Sequence, residues 1–145
     1  AGLGSYTNEA GYYGYLPYHS LHTVKVSGSY TVTTGAWNHT VGAVYEFDSG
    51  HAWQKRGWVP NYQDYSAMPE GRGTRFMPPV NYFDVHLAEN FKWGKAQSAE
   101  IAVDIFNVLD LSDPVTYYEN DDENFGLTLY RQEPRSIRAS LKLNY

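Results

Sequence analysis

The chain has no cysteine and no long apolar run. With 0 Cys among 145 residues, a disulfide framework and any thiolate-ligated metal site are excluded. Mean hydropathy is -0.54, and no segment reaches the roughly 18 apolar residues that a membrane-spanning helix requires. If this chain meets a membrane, it crosses the membrane with strands.

Positive charge is also scarce. The chain has 11 Lys and Arg against 16 Asp and Glu, a net charge of -5, and the cations form no cluster. Because nucleic-acid-binding surfaces need a basic patch or stripe, nucleic acid is not expected as a partner. Residues 1–20 have neither the basic start nor the apolar run of a signal peptide. This predicts that a leader was removed or that the sequence is an interior piece of a longer chain.

The chain is rich in aromatic residues, and several of its segments alternate strictly between apolar and polar residues. Aromatics make up 17% of it, with 14 Tyr and 4 Trp. The last segment puts apolar side chains on one face of a strand and Arg, Ser, Lys and Asn on the other, since successive side chains of a strand point to opposite sides. Its apolar face consists of Ile137, Ala139, Leu141, Leu143 and Tyr145.

Five segments share this period of two. They predict strands over about 21–33, 37–48, 81–93, 98–109 and 135–145. Such strands run about 9 to 12 residues, which exceeds the usual globular strand and matches a tilted membrane strand. Short turns alternate with long loops at 1–20, 49–80 and 110–134, as in outer-membrane barrels with periplasmic turns and extracellular loops. Five strands cannot close a barrel, so the rest of the wall is expected upstream.

The polar faces of these strands carry both signs of charge, and two titratable residues, His39 and Glu89, stand on the apolar faces. We expect the polar side chains to line a wet lumen and to pair across neighbouring strands. Paired carboxylates also occur in glycosidases, but mixed charges facing water need no catalytic explanation, and we predict no enzyme activity. The polar row comprises Lys25, Glu46, Asp48, Asp84, His86, Glu100, Asp104, Arg138 and Lys142.

Several motifs carry a resemblance to a known family. Residues 104–110, DIFNVLD, resemble the D-V-F-N-L-F-N segment of TonB-dependent outer-membrane receptors, especially the Oar-like and SusC-like branches of Bacteroidota and related Gram-negative bacteria. Residues 16–30, the GRGTR sequence at 71–75, and residues 125–145 resemble further motifs of the family in the same order. Asp110, Glu89 and Ser20 depart from its usual residues.

The resemblance implies a fold and a function. It implies an all-β chain that supplies about the last five strands of a 22-stranded transmembrane antiparallel barrel, in the outer membrane, with a periplasmic C-terminus and with residues 1–20 extracellular. The family moves a substrate through a plugged barrel without a cofactor in this region. The implied partners are the remainder of the barrel with its plug domain, the TonB energy-transducing complex, the lipid bilayer and a surface lipoprotein lid. The substrate and the direction of transport stay open.

The long loops contain the candidate substrate contacts. Aromatic faces stack on sugars and peptides, and guanidinium groups bind anions through paired hydrogen bonds. The competing interpretation is that these side chains pack the loops together. The candidates are Tyr12, Tyr13, Tyr15, Tyr18, Trp53, Trp58, Arg72 and Arg75.

The acidic loop and the C-terminal strand each have a candidate role. Asp121, Asp122 and Glu123 offer oxygen ligands suited to Ca²⁺, but their spacing is not that of an EF-hand, and a solvated loop tip is the better interpretation, so no metal site is predicted. The alternating C-terminal strand that ends at Tyr145 would, by the resemblance, also be the signal that the barrel assembly machinery reads.

Two different classes of protein remain as alternatives. A secreted β-sandwich that binds carbohydrate would explain the aromatic residues without a membrane, and a second sheet would then cover the apolar face. A structural or adhesive outer-membrane barrel without transport would share every feature of the strands described above.

Overall fold

The computed structural model describes residues 13–94 and 96–145. Within these ranges the chain contains strands and no helix, so the prediction of an all-β chain is confirmed. Over the same ranges, no helix is long and apolar enough to cross a membrane. The chain divides into two compact units, which are described separately.

The first unit is a five-stranded sheet. Its strands in spatial order are β1 (Thr23–Thr34), β2 (Trp37–Asp48), β7 (Val80–Lys92), β8 (Ser98–Phe106) and β11 (Ser136–Asn144). They begin and end within a few residues of the predicted segments. β1 and β11 are the two edges, and the sheet is open. The 22-stranded barrel implied by the resemblance is therefore a proposal about a larger assembly.

The strand register keeps apolar and polar side chains on separate faces. β8 pairs antiparallel with both of its neighbours, and Ile105 stands opposite Val85 on one side and Ile137 on the other. One position along, Asp104 stands opposite His86 and Arg138. Because a shift of one residue would exchange the faces, this register preserves the alternation in the sequence.

The apolar face of the sheet is uncovered. Its side chains remain largely exposed, for example 60% for Val26, 58% for Ile101 and 66% for Leu141. Every residue of the edge strand β11 is exposed. A soluble sheet of this size normally hides such a face against a second layer, and large exposed apolar patches mark contact surfaces.

The second unit is formed by the loops, which are less irregular than the sequence predicted. The segments 49–80 and 110–134 contain six short strands that pair into three two-stranded ribbons. These pairs are β3 (Ala52–Trp53) with β6 (Arg75–Phe76), β4 (Gly57–Val59) with β5 (Asp64–Ala67), and β9 (Pro114–Tyr117) with β10 (Thr128–Arg131). Strands of two to four residues are too short to show a period, which explains why the sequence did not predict them.

The loop unit has a small core of its own. Ala52, Trp53, Ala67 and Met77 are buried in it. The indole of Trp53 meets Tyr117 edge-on, with ring centroids 5.1 Å apart, and meets Phe125 at 5.7 Å. This aromatic cluster holds the ribbons β3–β6 and β9–β10 together.

β8 ends at Phe106, before the predicted boundary at 109, because Asn107 adopts a left-handed conformation with φ of 48°. Its buried amide donates to the carbonyl oxygens of Leu111 (2.8 Å) and Glu133 (2.7 Å). Three residues later Asp110, at φ 53°, accepts the backbone N–H of Arg135. Asn and Asp tolerate this conformation better than other side chains. The DIFNVLD motif is therefore a turn that ends β8 and fixes the start of β11.

Candidate functional site

The polar face of the sheet carries a ladder of cross-strand pairs. Lys25 of β1 donates to Glu46 of β2 at 2.9 Å, and Lys142 stands opposite Glu100 in the register of β11 and β8. The hydroxyls of Thr31 and Thr40 lie 2.9 Å apart. Opposite charges at facing positions stabilise neighbouring strands, so these pairs help to hold β1 to β2 and β11 to β8.

Asp104 is the centre of this ladder. One oxygen lies 2.7 Å from Nδ1 of His86, and the other accepts from Nε and Nη2 of Arg138 at 3.1 and 2.9 Å. The guanidinium group also lies over the ring of Phe106, 5.3 Å from its centroid. Three strands, β7, β8 and β11, are joined by this one carboxylate, since a carboxylate has two oxygens able to accept from both sides.

The loop unit contains a cavity of about 250 Å³. Aromatic side chains form much of its wall, and a guanidinium–carboxylate pair adds hydrogen-bonding groups. Among the residues that line it are Tyr18, His51, Trp53, Arg56, Tyr117 and Glu119. Apolar walls with a few directed polar groups are the usual composition of a small-molecule site.

The charges in this cavity cancel. Arg56 donates from Nε to Oε2 of Glu119 at 2.5 Å, and the other oxygen of Glu119 accepts the backbone N–H of Gln54 at 3.4 Å. Partial burial lowers the pKa of His51 below its ordinary value, although the carboxylates of Asp48 and Glu119 act in the opposite direction. Burial therefore favours the neutral form of this imidazole. Such a lining suits a neutral polar ligand with one apolar face.

Comparisons with protein-family models, with curated proteins and with solved structures gave no match.

The described tyrosines among the predicted contacts lie in different surroundings. Tyr12 lies outside the described residues. Tyr13 is exposed, and Tyr15 stacks on His19 with ring centroids 5.0 Å apart. Only Tyr18 of these lines the cavity, where its ring lies 5.1 Å from His51.

The predicted contacts in the loop 49–80 also lie in different surroundings. Trp53 lines the cavity but is 8% exposed, and within the described part of the chain its indole N–H has no acceptor. Trp58 is half-exposed on β4 and meets Tyr65 edge-on. Arg72 keeps its Nε buried without an acceptor among the described residues. The structure therefore brings Trp53, but not Trp58, to the cavity.

Arg75 is occupied by partners within the loop unit. Its guanidinium group makes a two-point ion pair with Glu70, with Nε and Nη2 donating at 3.0 and 2.9 Å. The same group lies over the rings of Trp53 and Phe125, at 5.4 and 5.1 Å. This geometry agrees with the alternative interpretation of the sequence, in which the side chain packs the loops together.

The acidic loop tip makes protein contacts. Asp121 pairs with Lys55 at 2.9 Å, and Asp122 accepts the backbone N–H of Asn124 at 2.8 Å. Over residues 13–94 and 96–145, no group of three or more His, Asp or Glu side chains is arranged to hold a metal ion. These contacts are those of an ordered turn.

The sequence did not predict that His51, Arg56, Tyr117 and Glu119 lie at one cavity. His51 and Arg56 come from the loop before β7, and Tyr117 and Glu119 come from the loop after β8. In the sequence, Arg56 is one of several cations of its loop and Glu119 belongs to the acidic run, and no local pattern indicates that the two side chains pair.

Proposed function

We propose that this chain forms part of the wall of a TonB-dependent outer-membrane transporter that moves a substrate through a plugged barrel. The observation that carries the proposal is the uncovered apolar face of the five-stranded sheet, opposite a face of paired charges. Lipid on one side and water on the other account for both faces. The two free edges would pair with the remaining strands of the barrel.

A labelling experiment tests the membrane location. Since the chain has no Cys, Val26→Cys and Ser27→Cys would each give one reactive site in this segment, on opposite faces of β1. The full-length protein, with any other Cys replaced, is labelled with a fluorophore in vesicles that contain nitroxide-labelled lipid. Quenching at 26 and little quenching at 27 is the expected result. Equal quenching at both positions contradicts a lipid-facing wall, and the absence of quenching at both positions favours a secreted sandwich.

Transport is tested by coupling. The proposal expects the purified full-length protein to bind the periplasmic domain of TonB, whereas an adhesive barrel has no reason to do so. If the protein fails to bind TonB both in detergent and in vesicles, the proposed transport function is contradicted, whereas the proposed barrel is not.

The loop cavity is where we place the substrate contact of this region. Tyr18, Trp53 and Tyr117 give the cavity an aromatic lining, and aromatic side chains bind sugars and peptides. Titration of the full-length protein with a panel of monosaccharides and dipeptides, read by tryptophan fluorescence, should give a saturable change for one class. Tyr18→Ala should abolish the change, and Tyr62→Ala, an exposed tyrosine outside the cavity, should preserve it. A response insensitive to Tyr18 would place the contact elsewhere.

A further inference from the structure

Two titratable side chains stand together on the apolar face of the sheet. Nδ1 of His39 on β2 lies 2.5 Å from Oε2 of Glu89 on β7. Over the described strands, they are the only His, Asp, Glu, Lys or Arg residues on this face. Both remain accessible, with side chains 43% and 51% exposed. Polar side chains in such a place need a partner or a function, because lipid solvates them poorly.

The pair lies near one end of the sheet. His39 is two residues from the start of β2, and Glu89 is three residues from the end of β7, so both are within about 10 Å of the turn end. Aromatic rings mark the same end: Trp37 and Phe91 have centroids 4.7 Å apart, and Phe91 and Trp93 6.0 Å. Aromatic girdles sit at the level of the lipid headgroups.

The pair leaves one atom of each side chain available. It uses Nδ1 and Oε2, and no residue of the described ranges hydrogen-bonds to Nε2 of His39 or Oε1 of Glu89. Beside the pair lies a shallow depression of about 320 Å³, whose lining includes Tyr30, Val32 and Leu87 as well as the pair itself. An acceptor for a cation therefore lies beside an imidazole nitrogen at an apolar groove.

We propose that His39 and Glu89, with this depression, bind the headgroup of phosphatidylethanolamine in the periplasmic leaflet, an inference that rests on the proposed membrane function. The primary ammonium of the lipid donates to Oε1 of Glu89. When the imidazole is protonated, its Nε2–H donates to a phosphate oxygen. In that protonation state, a cation–anion pair meets a lipid headgroup of the same two charges in complementary order, and hydrogen bonds to charged groups are the strongest of their kind.

The chemistry discriminates between lipids. Phosphatidylcholine has the same charges, but its quaternary ammonium has no N–H to donate to Glu89. Phosphatidylglycerol has the phosphate without any ammonium. Binding through Glu89 therefore requires a primary amine next to a phosphate.

Native mass spectrometry of the full-length protein tests the site. The protein is mixed with equal amounts of the three phospholipids, and its lipid adducts are counted for the natural sequence, His39→Gln and Glu89→Gln. Glu46→Gln is the matched control, because it breaks a similar cross-strand pair on the opposite face. We expect phosphatidylethanolamine adducts to dominate and to fall about tenfold or more in either variant of the pair, with no fall in the control.

Three results would overturn the site. These are equal adducts of the three lipids, a loss in Glu46→Gln as large as in Glu89→Gln, and a protein dimer that forms only while the pair is intact, which would assign this face to a second copy. The Val26→Cys quenching is measured in parallel, in vesicles that contain nitroxide-labelled lipid. Quenching without lipid selectivity would contradict only the proposed lipid site. Absence of quenching would contradict the proposed membrane function itself.

Discussion

Placing an arginine on the apolar face gives a quantitative test of what that face contacts. Leu141 lies one residue from the middle of β11, opposite Ile101, and is 66% exposed. Ser140, its neighbour, is exposed on the polar face. The pair Leu141→Arg and Ser140→Arg therefore adds the same side chain to either side of one strand.

The expected magnitude depends on the surroundings. On the lipid face near the bilayer midplane, an arginine costs about 2–4 kcal/mol, which lowers the ratio of folded to unfolded protein by about thirtyfold or more. On a surface exposed to water, the same change costs within about 0.5 kcal/mol. Leu141 is 66% exposed within this chain, so a cost of about 2–4 kcal/mol would show that this face does not contact water in the full-length protein, as expected for a wall that contacts lipid.

The assay is the folded fraction of the full-length protein in phospholipid vesicles at increasing urea, read as a heat-sensitive band shift on gels. Leu141→Arg should lower the urea midpoint strongly, and Ser140→Arg should lower it little. Equal urea midpoints for the two variants would refute a lipid-facing wall, whether or not these midpoints differ from that of the natural protein.

Three further predictions concern the loop unit and the C-terminus. Gly50→Ala should destabilise the loop unit by more than about 1 kcal/mol, because Gly50 has φ 88° and a Cβ there would lie 2.0 Å from the carbonyl oxygen of Met77. Limited proteolysis measures the loss of stability. Gly28→Ala is the control, because a Cβ at Gly28 would have no atom within 4 Å. Burial lowers the pKa of His51 in the folded state below its ordinary value of 6.5. Between the folded-state pKa and 6.5 the unfolded chain binds more protons, so the loop unit should lose stability as the pH falls through this interval. In hydrogen exchange, His51→Gln should flatten this pH dependence, and an unchanged slope would contradict the prediction. Deleting Tyr145 should reduce the outer-membrane level of the full-length protein, whereas Tyr145→Phe should preserve it. A normal level after the deletion would contradict a role of Tyr145 in the assembly signal.

Much of the sheet could be predicted because the information is local. Alternation alone assigns Leu141 and Lys142 to opposite faces, and the observed register keeps that assignment. The expected pairing of polar residues across strands is found for Lys25 with Glu46 and for Arg138 with Asp104. A period of two needs only a few residues to be recognised, and it fixes a side chain's face whatever the neighbouring strand is.

The loops could not be predicted in the same way. Arg75 was a candidate ligand contact, yet only the folded loop shows its guanidinium group between Glu70 and two aromatic rings. The cavity likewise joins Tyr18 and Trp53 to side chains from a distant loop. Short ribbons without periodicity are positioned by tertiary contacts, which one sequence does not reveal.

The sequence by itself determined that this chain is built of long two-faced strands, and it marked His39 and Glu89 as exceptions on the apolar face. Only the tertiary structure decided that these two exceptions meet. They lie 50 residues apart in the sequence, and their contact exists because β2 pairs with β7. Side-chain direction follows from local backbone geometry, whereas the choice of neighbouring strand depends on the packing of the whole chain.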